Sequence, residues 1–563
     1  MKINIMIEKS YEVKEKMRKK LTSILLAALI CTILLCGCGK DAETDDESSR
    51  NINTEVDEAV LENSQETREN TQAEDGDATE IEDEKETVVE AGLEDAETKI
   101  SEAPNLACET QYDYYYNDDE SVLLLLAEYD TLTVSGEGYE ALSEAVTAWN
   151  DEENSDFLSY CKELSEDAAE NTDASANSEY TNYYESKRQI SVTRASTGVL
   201  SLKMFNYAYL GGTHGDYSYT CKTFDAKNGD ALELEDLLNI NNTAEFYDVA
   251  GDYIVEKLEA EHGDELFDGY EDVVYSMWDD DLVWYLDPEG IAFVFNAYEI
   301  GPYAMGSISV TCPYEEFGEY LMGEYFDYDE AGIYELGTNI DTKTTQGILN
   351  VSEVINSEYD MYTVSVTLDG ETLEMGDFGT FGSAYLLTLS DGRAFVIIDA
   401  DYMSDDYVTA LYEITDGTLS EKSYLEGVSL EEGTIGTDSM TLSVHLDVLG
   451  TYSAFMVYNI DDKGELSKTQ EIFEIPQDDE EWHLLTLVKD LSVTMDGKET
   501  TLTVGSQIRI TGTDNNGTAY FKVEGTGETG SISYERGTGD DEWQLYIDGV
   551  SEYDYFEMLP YAG

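Results

Sequence analysis

The chain has 563 residues, with 123 Asp and Glu against 30 Lys and Arg, a formal net charge of −93. Such a surface repels nucleic acid and an anionic lipid headgroup layer, and it attracts cationic partners. With 42 tyrosines, 44 glycines and only 6 prolines, the composition favours strands joined by glycine turns.

Residues 1–38 read as an export signal. Met17-Arg18-Lys19-Lys20 is basic, residues 21–35 are apolar and uncharged, and Leu35-Cys36-Gly37-Cys38 follows. The apolar run is shorter than the roughly 20 residues a spanning helix needs. A basic start, a short apolar core and small residues before a cut mark a secretory signal, with Met1 and Met17 both open as its start. Leu-x-Gly-Cys resembles the bacterial lipobox. That resemblance implies that Cys38 is diacylated and becomes the mature N-terminus, held in the outer leaflet at the extracellular face of a bacterial membrane. Residues 39–104 contain no aromatic residue and are rich in Glu, Asp, Thr, Ser and Asn. They have too little apolar surface to offset ordering entropy, so a disordered, charge-extended acidic tether is expected.

Residues 105–326 form the first expected folded region. Strands are predicted over 112–116 and 121–129, a helix from 138 to 149 continuing to about 165, and a strand pair over 189–209. A hairpin is predicted from 217–224 to 230–234 across Asp225-Ala226-Lys227-Asn228-Gly229, where Asn-Gly supplies the turn. Helices are predicted over 235–238 and 243–261, and strands over 290–296 and 307–312. Four cysteines lie here, Cys108, Cys161, Cys221 and Cys312; their even number permits two disulfides, and buried free thiols fit equally well.

Three ordered features carry a family resemblance. They are Gly211-Gly212-Thr213-His214-Gly215, the hairpin and helix that begin at Phe224-Asp225, and Tyr298-Glu299-Ile300-Gly301-Pro302-Tyr303-Ala304-Met305-Gly306 with the strand and Pro313-Tyr314 after it. Together they resemble the RsiV/PdaC-type extracellular domain, a domain of unknown function. It occurs in the lysozyme-sensing anti-sigma factor RsiV and beside the catalytic domain of the peptidoglycan deacetylase PdaC. The resemblance implies an α+β fold, with helices packed on an antiparallel sheet, that binds rather than catalyses. Its candidate binding residues are Gly211, Gly212, His214, Gly215, Tyr298, Glu299, Pro302 and Tyr303. A cleavable signal in place of a spanning helix argues against anti-sigma signalling. Thr223-Phe224-Asp225-Ala226 looks like half of a deacetylase motif, but Ala226 replaces the second Asp and His262 has no neighbouring His. Asp225 therefore reads as the start of a turn.

No catalytic residue and no cofactor are expected. The four histidines, His214, His262, His445 and His483, are widely separated and form no metal or hydrolase motif. His214 reads as a loop-bonding residue, with Glu299 as a possible partner. Asp279-Asp280-Asp281 and the set Asp399, Asp401, Asp405 and Asp406 lack calcium-loop spacing, so no metal is expected.

Residues 339–480 read as an all-β meander or sandwich of hairpins. Residues 412–420 and 458–467 echo each other, with too few copies for a propeller. Residues 484–563 look like a bacterial SH3-like barrel, a family that often binds cell-wall peptides; Trp543, Tyr546, Tyr553, Tyr555 and Phe556 either line its groove or fill its core. The expected function is that of a surface lipoprotein binding a lysozyme-like basic enzyme or peptidoglycan. A peptidoglycan-modifying enzyme centred on His214 and Glu299, and a structural spacer or adhesin, are the alternatives.

Overall fold

The computed structural model describes residues 100–563, except 119, 176–182, 279–281, 327–330, 357–360, 403–405, 478–482, 542, 562 and 563. The signal, Cys38, the tether up to residue 99, Asp279-Asp280-Asp281 and Asp405 lie outside the described residues. Ile100 and Ala103, at the end of the expected tether, pack against the main core. No helix among the described residues is long and apolar enough to cross a membrane.

The chain is mostly strand. β1 (Asn105–Tyr116) and β2 (Leu123–Ser135) pair antiparallel, and α1 (Glu140–Ser175) returns the chain so that β3 (Tyr184–Ser196) lies parallel to β2. A crossover helix is what a parallel pair requires. β4 (Val199–Tyr209) and β5 (Asp216–Asp225) continue antiparallel from β3. The sheet is thus antiparallel except at β2–β3, where the expected all-antiparallel arrangement gives way to the crossover.

α1 runs ten residues beyond the predicted end at 165. Tyr139, Leu142, Val146, Cys161, Leu164 and Ala168 are buried at helical spacing. Asn150, in the same stripe, holds β2: its Nδ2 donates to the Leu132 carbonyl at 2.7 Å and its Oδ1 accepts the Leu132 N–H. Beyond β5, the Lys227 N–H donates to the Asp225 carboxylate, as a turn requires. The strand expected over 230–234 is reduced to one bridge, Phe224 to Ala231. From Leu234 the chain is already helical, in α2 (Leu234–Leu237).

A second core forms around α3 (Thr243–His262) and α4 (Tyr270–Ser276), packed on a small sheet of β6 (Trp284–Leu286), β7 (Gly290–Phe295) and β8 (Ile308–Pro313). Phe246, Ala250, Ile254 and Leu258 of α3 meet Ile291, Phe293 and Val310 of the strands. β9 (Gly332–Glu335) then re-enters the main sheet beside β3.

β10 (Ile340–Thr344), β11 (Gly347–Asn356), β12 (Met361–Leu368) and β13 (Glu371–Phe378) make a separate four-stranded sheet. Its alternating Val364, Val366 and Leu368 pack on β14 (Thr380–Thr388), β15 (Ala394–Asp401) and β16 (Tyr407–Thr415) of the main sheet, which ends at β17 (Thr418–Glu426). The first five residues of β15 are all apolar because both faces of the strand are covered: Val396 and Ile398 face this sandwich, while Phe395 and Ile397 face the main core.

Of the remaining strands, eleven form one open sheet from Val428–Thr434 to Lys498–Leu502, and Glu535–Arg536, Leu545–Ile547 and Val550–Ser551 form a small sheet of their own. Phe473–Glu474 pairs with Thr513 and Gly512, joining residues assigned to two different regions. None of the sheets closes, so the expected C-terminal barrel is here part of an open sheet. The echo of 412–420 and 458–467 corresponds to two similar hairpins. Of the five C-terminal aromatics, Tyr555 and Phe556 are core residues, whereas Trp543 and Tyr553 are exposed.

Candidate functional site

The two glycine-bearing loops meet. Residues 210–215 connect β4 to β5, and residues 296–307 connect β7 to β8. The ring of His214 stacks on Tyr303, with centroids 4.3 Å apart and planes 24° from parallel. Both side chains address one carbonyl. Tyr303 Oη donates to Gly215 O at 2.6 Å, and His214 Nδ1 lies 3.0 Å from the same oxygen. A carbonyl only accepts, so Nδ1 carries the proton and Nε2 is the acceptor in the neutral ring.

The loops are built for close approach. Gly211 and Gly212 sit at φ of 85° and 116°, which favour glycine. Gly215 lies on the Tyr207 ring: a Cβ there would stand 2.4 Å from its Cε2. Asn296 ties the second loop to β5, accepting the Tyr219 N–H at 2.6 Å and donating to the Tyr219 carbonyl at 3.2 Å. Tyr298, at φ 71°, is exposed and leans on Tyr303, with ring centroids 5.6 Å apart. A non-glycine residue in that region is held there by its surroundings.

Glu299 does not pair with His214. Its carboxylate accepts the Asn296 N–H at 2.8 Å and shapes its own turn. Pro302 precedes the short turn that presents Tyr303 and is exposed. Among the described residues, no group of three or more His, Cys, Asp or Glu side chains is placed to hold a metal ion.

Around the stack lie Phe205, Tyr207, Tyr217 and Tyr219, which patterning alone did not single out. Phe205 is 5.7 Å from Tyr217 and 5.5 Å from Tyr219, and Tyr217 meets Tyr303 edge-on at 5.7 Å. Their signal was the i, i+2 spacing of Tyr207/Tyr209 and Tyr217/Tyr219, which places each pair on one strand face. Burial, more than neighbouring charge, pushes the Tyr303 and Tyr219 hydroxyls above their usual range. They therefore stay protonated and can donate. The arrangement is a half-exposed aromatic surface edged by hydroxyls and backbone, suited to contact rather than to bond-making.

A second concavity of about 510 Å³ lies between β1, β14 and β15. Its buried carboxylate, Asp399, accepts the Thr409 hydroxyl at 2.8 Å and the Ser429 hydroxyl at 2.7 Å. These bonds brace three strands, which accounts for the residue structurally.

Residues 235–315, from α2 to β8, match a protein family described as "Protein of unknown function (DUF3298)". The match includes the 296–307 loop and stops short of His214. A solved DUF3298 family member from Bacteroides fragilis NCTC 9343 is similar at 18% identity, over 39% of this chain and 95% of that one, with a TM-score of 0.31. A DUF3298 family protein from Pseudomonas aeruginosa PAO1 is similar at 17% identity, over 39% and 96%, with a TM-score of 0.29. No curated protein matches the chain.

Proposed function

We propose that this chain is a lipid-anchored, non-catalytic binding protein of the extracellular face of a bacterial membrane. Its partner is associated with the cell wall, either a lysozyme-like basic enzyme or peptidoglycan. The observation that carries the reading is the His214–Tyr303 stack, which fixes two loops nearly ninety residues apart beside half-exposed aromatic strands. Such surfaces are enriched at recognition sites, because aromatic rings bring large contact area at low entropic cost. The absence of catalysis belongs to the proposal. It rests on His214, whose ring is engaged by Gly215 and Tyr303, with no nucleophile among the described residues hydrogen-bonded to it.

The RsiV/PdaC-type resemblance supports an extracellular wall-binding role for the first region. The exposed Trp543 and Tyr553 of the C-terminal region add a second contact. The Leu35-Cys36-Gly37-Cys38 motif supports the anchor. Mass spectrometry of protein isolated from membranes tests it: a diacylated N-terminal Cys38 is expected, and an intact peptide spanning Met17 to Lys40 contradicts it. Retention of the ectodomain from Asn105 onward on purified cell wall and on immobilised lysozyme, with Tyr303→Ala as the comparison, tests the binding.

A further inference from the structure

Strand register extends the aromatic surface across the whole β1–β5 sheet. Tyr112 stands opposite Glu128, Glu128 opposite Lys187, Lys187 opposite Tyr207, and Tyr207 opposite Tyr217. Directly paired residues share a face. The adjacent row runs Tyr114, Leu126, Glu185, Tyr209. α1 covers the opposite face, where Cys161 and Leu164 pack on Leu125 and Ala127. The tyrosine rows therefore point away from the helix, and Tyr112 and Tyr114 are 53% and 56% exposed. Four inter-strand steps of about 4.8 Å put Tyr112 roughly 19 Å from Tyr217.

The charge of this face departs from that of the chain. The rows carrying Glu128, Asp130 and Glu185 also carry Lys187 and Lys203. Glu335 lies beside Ser191 and Lys203, so four acids against two lysines leave a formal −2, where the chain as a whole has 123 against 30. The centre is neutralised internally. Lys187 Nζ is 2.7 Å from Glu128 Oε2, and Gln189 Nε2 donates to the other oxygen at 2.9 Å. Asp130 accepts the Thr110 hydroxyl and the Ile190 N–H, both at 2.7 Å.

These features select a ligand class. The face is broad and open, unlike a pocket for a small molecule. Its acids Glu128 and Asp130, both buried, and Glu335 are engaged within the face and offer little to a cationic protein. Its two aromatic ends, with a hydrogen-bonding saddle between them, suit flat rings that are apolar on their faces and hydroxylated at their edges. We propose that this face binds a neutral, β-linked polysaccharide strand laid across β1–β5. Sugar rings stack on Tyr112 and Tyr114 at one end and on Tyr207 and Tyr217 at the other, and their hydroxyls meet the Gln189–Glu128 pair. The proposal rests on the binding reading above and supplies its ligand class.

The test is calorimetric titration of the intact protein with the hexamer and the dimer of β-linked N-acetylglucosamine, at low and high salt. The hexamer bridges both aromatic ends, so it binds and the dimer binds at least about tenfold more weakly. Tyr112→Ala combined with Tyr114→Ala weakens the hexamer about tenfold. Both rings are more than half exposed, so the unfolding temperature is unchanged. Salt has no effect, because no net charge is matched. An inert hexamer, an affinity that falls with salt, or a double variant that binds as the parent does would each overturn the proposal. An inert hexamer together with Tyr303-dependent binding of a basic wall hydrolase would overturn the glycan and leave the binding reading standing.

Discussion

The imidazole of His214 lies flat on the phenol ring of Tyr303, and both side chains converge on the carbonyl of Gly215. This contact locks the β4–β5 loop to the β7–β8 loop. It divides into a stack and a hydrogen bond, which substitutions can separate. Tyr303→Phe keeps the stack and loses one hydrogen bond, a change worth about 1 kcal/mol. Tyr303→Leu loses both. Amide hydrogen exchange over residues 213–217 is expected to rise slightly in the first variant and strongly in the second. Equal protection in both variants and the parent would show that the loops hold without the stack.

Gly215 is required for steric reasons. An alanine Cβ would collide with the Tyr207 ring, at 2.4 Å. Overpacking of this kind costs roughly 1–3 kcal/mol. Gly215→Ala is expected to lower the urea midpoint, and Tyr207→Ala in the same chain is expected to relieve part of the loss. Strict additivity of the two substitutions would mean that the ring is not what the methyl group meets.

Asp399 gives the chain a pH-dependent component of stability. Burial pushes its carboxyl up to about 6, against the opposing effect of hydrogen bonds from Ser429, Thr409 and the Leu430 N–H. An acid whose folded pKa is raised binds its proton more tightly when folded. Its contribution is therefore fully present below the ordinary carboxylate pKa and is lost as pH rises through about 6. At about 1.4 kcal/mol per pH unit, the loss is on the order of 2–3 kcal/mol. Asp399→Asn is expected to remove this component, so the stability difference between variant and parent should change between about pH 4 and pH 6 and level off above. A pH-independent difference would rule out titration of this group.

The four described cysteines are free: Cys161 and Cys312 are buried, and burial pushes the Cys161 thiol up to about 11. Alkylation in denaturant without reductant is expected to modify Cys108, Cys161, Cys221 and Cys312, while native protein leaves Cys161 and Cys312 unreacted. A mass two hydrogens lower per pair, with those residues protected in denaturant, would reveal a disulfide.

The elements that were legible in the sequence carry their own periodicity. The helix expected over 243–261 forms at Thr243–His262, and the alternation of Val364, Val366 and Leu368 becomes β12. What escaped depends on distant partners. The packing of Cys161 and Leu164 on Leu125 and Ala127 holds the polar middle of α1 to the sheet, a contact with no local signature. The junction of Phe473–Glu474 with Thr513 and Gly512 has no local signature, so one open sheet read as two regions. At the site, the motifs identified the two loops. The sequence suggested Glu299 as the partner of His214, whereas the fold supplies Tyr303. The Tyr112-to-Tyr217 row becomes visible only once four strand registers are known.

Binding is the central claim, and the most direct measurement compares two immobilised cationic proteins and purified cell wall as baits for the ectodomain from Asn105 onward. The baits are lysozyme, purified wall, and a basic protein of similar size without a wall-hydrolase fold, such as a cytochrome, all at physiological salt. At that ionic strength screening acts over about 8 Å, so attraction by net charge alone is weak. Retention on lysozyme or on wall, well above the cytochrome and reduced by Tyr303→Ala, is the expected result. Equal retention on lysozyme and cytochrome, abolished together by added salt and accompanied by no retention on wall, would contradict the account.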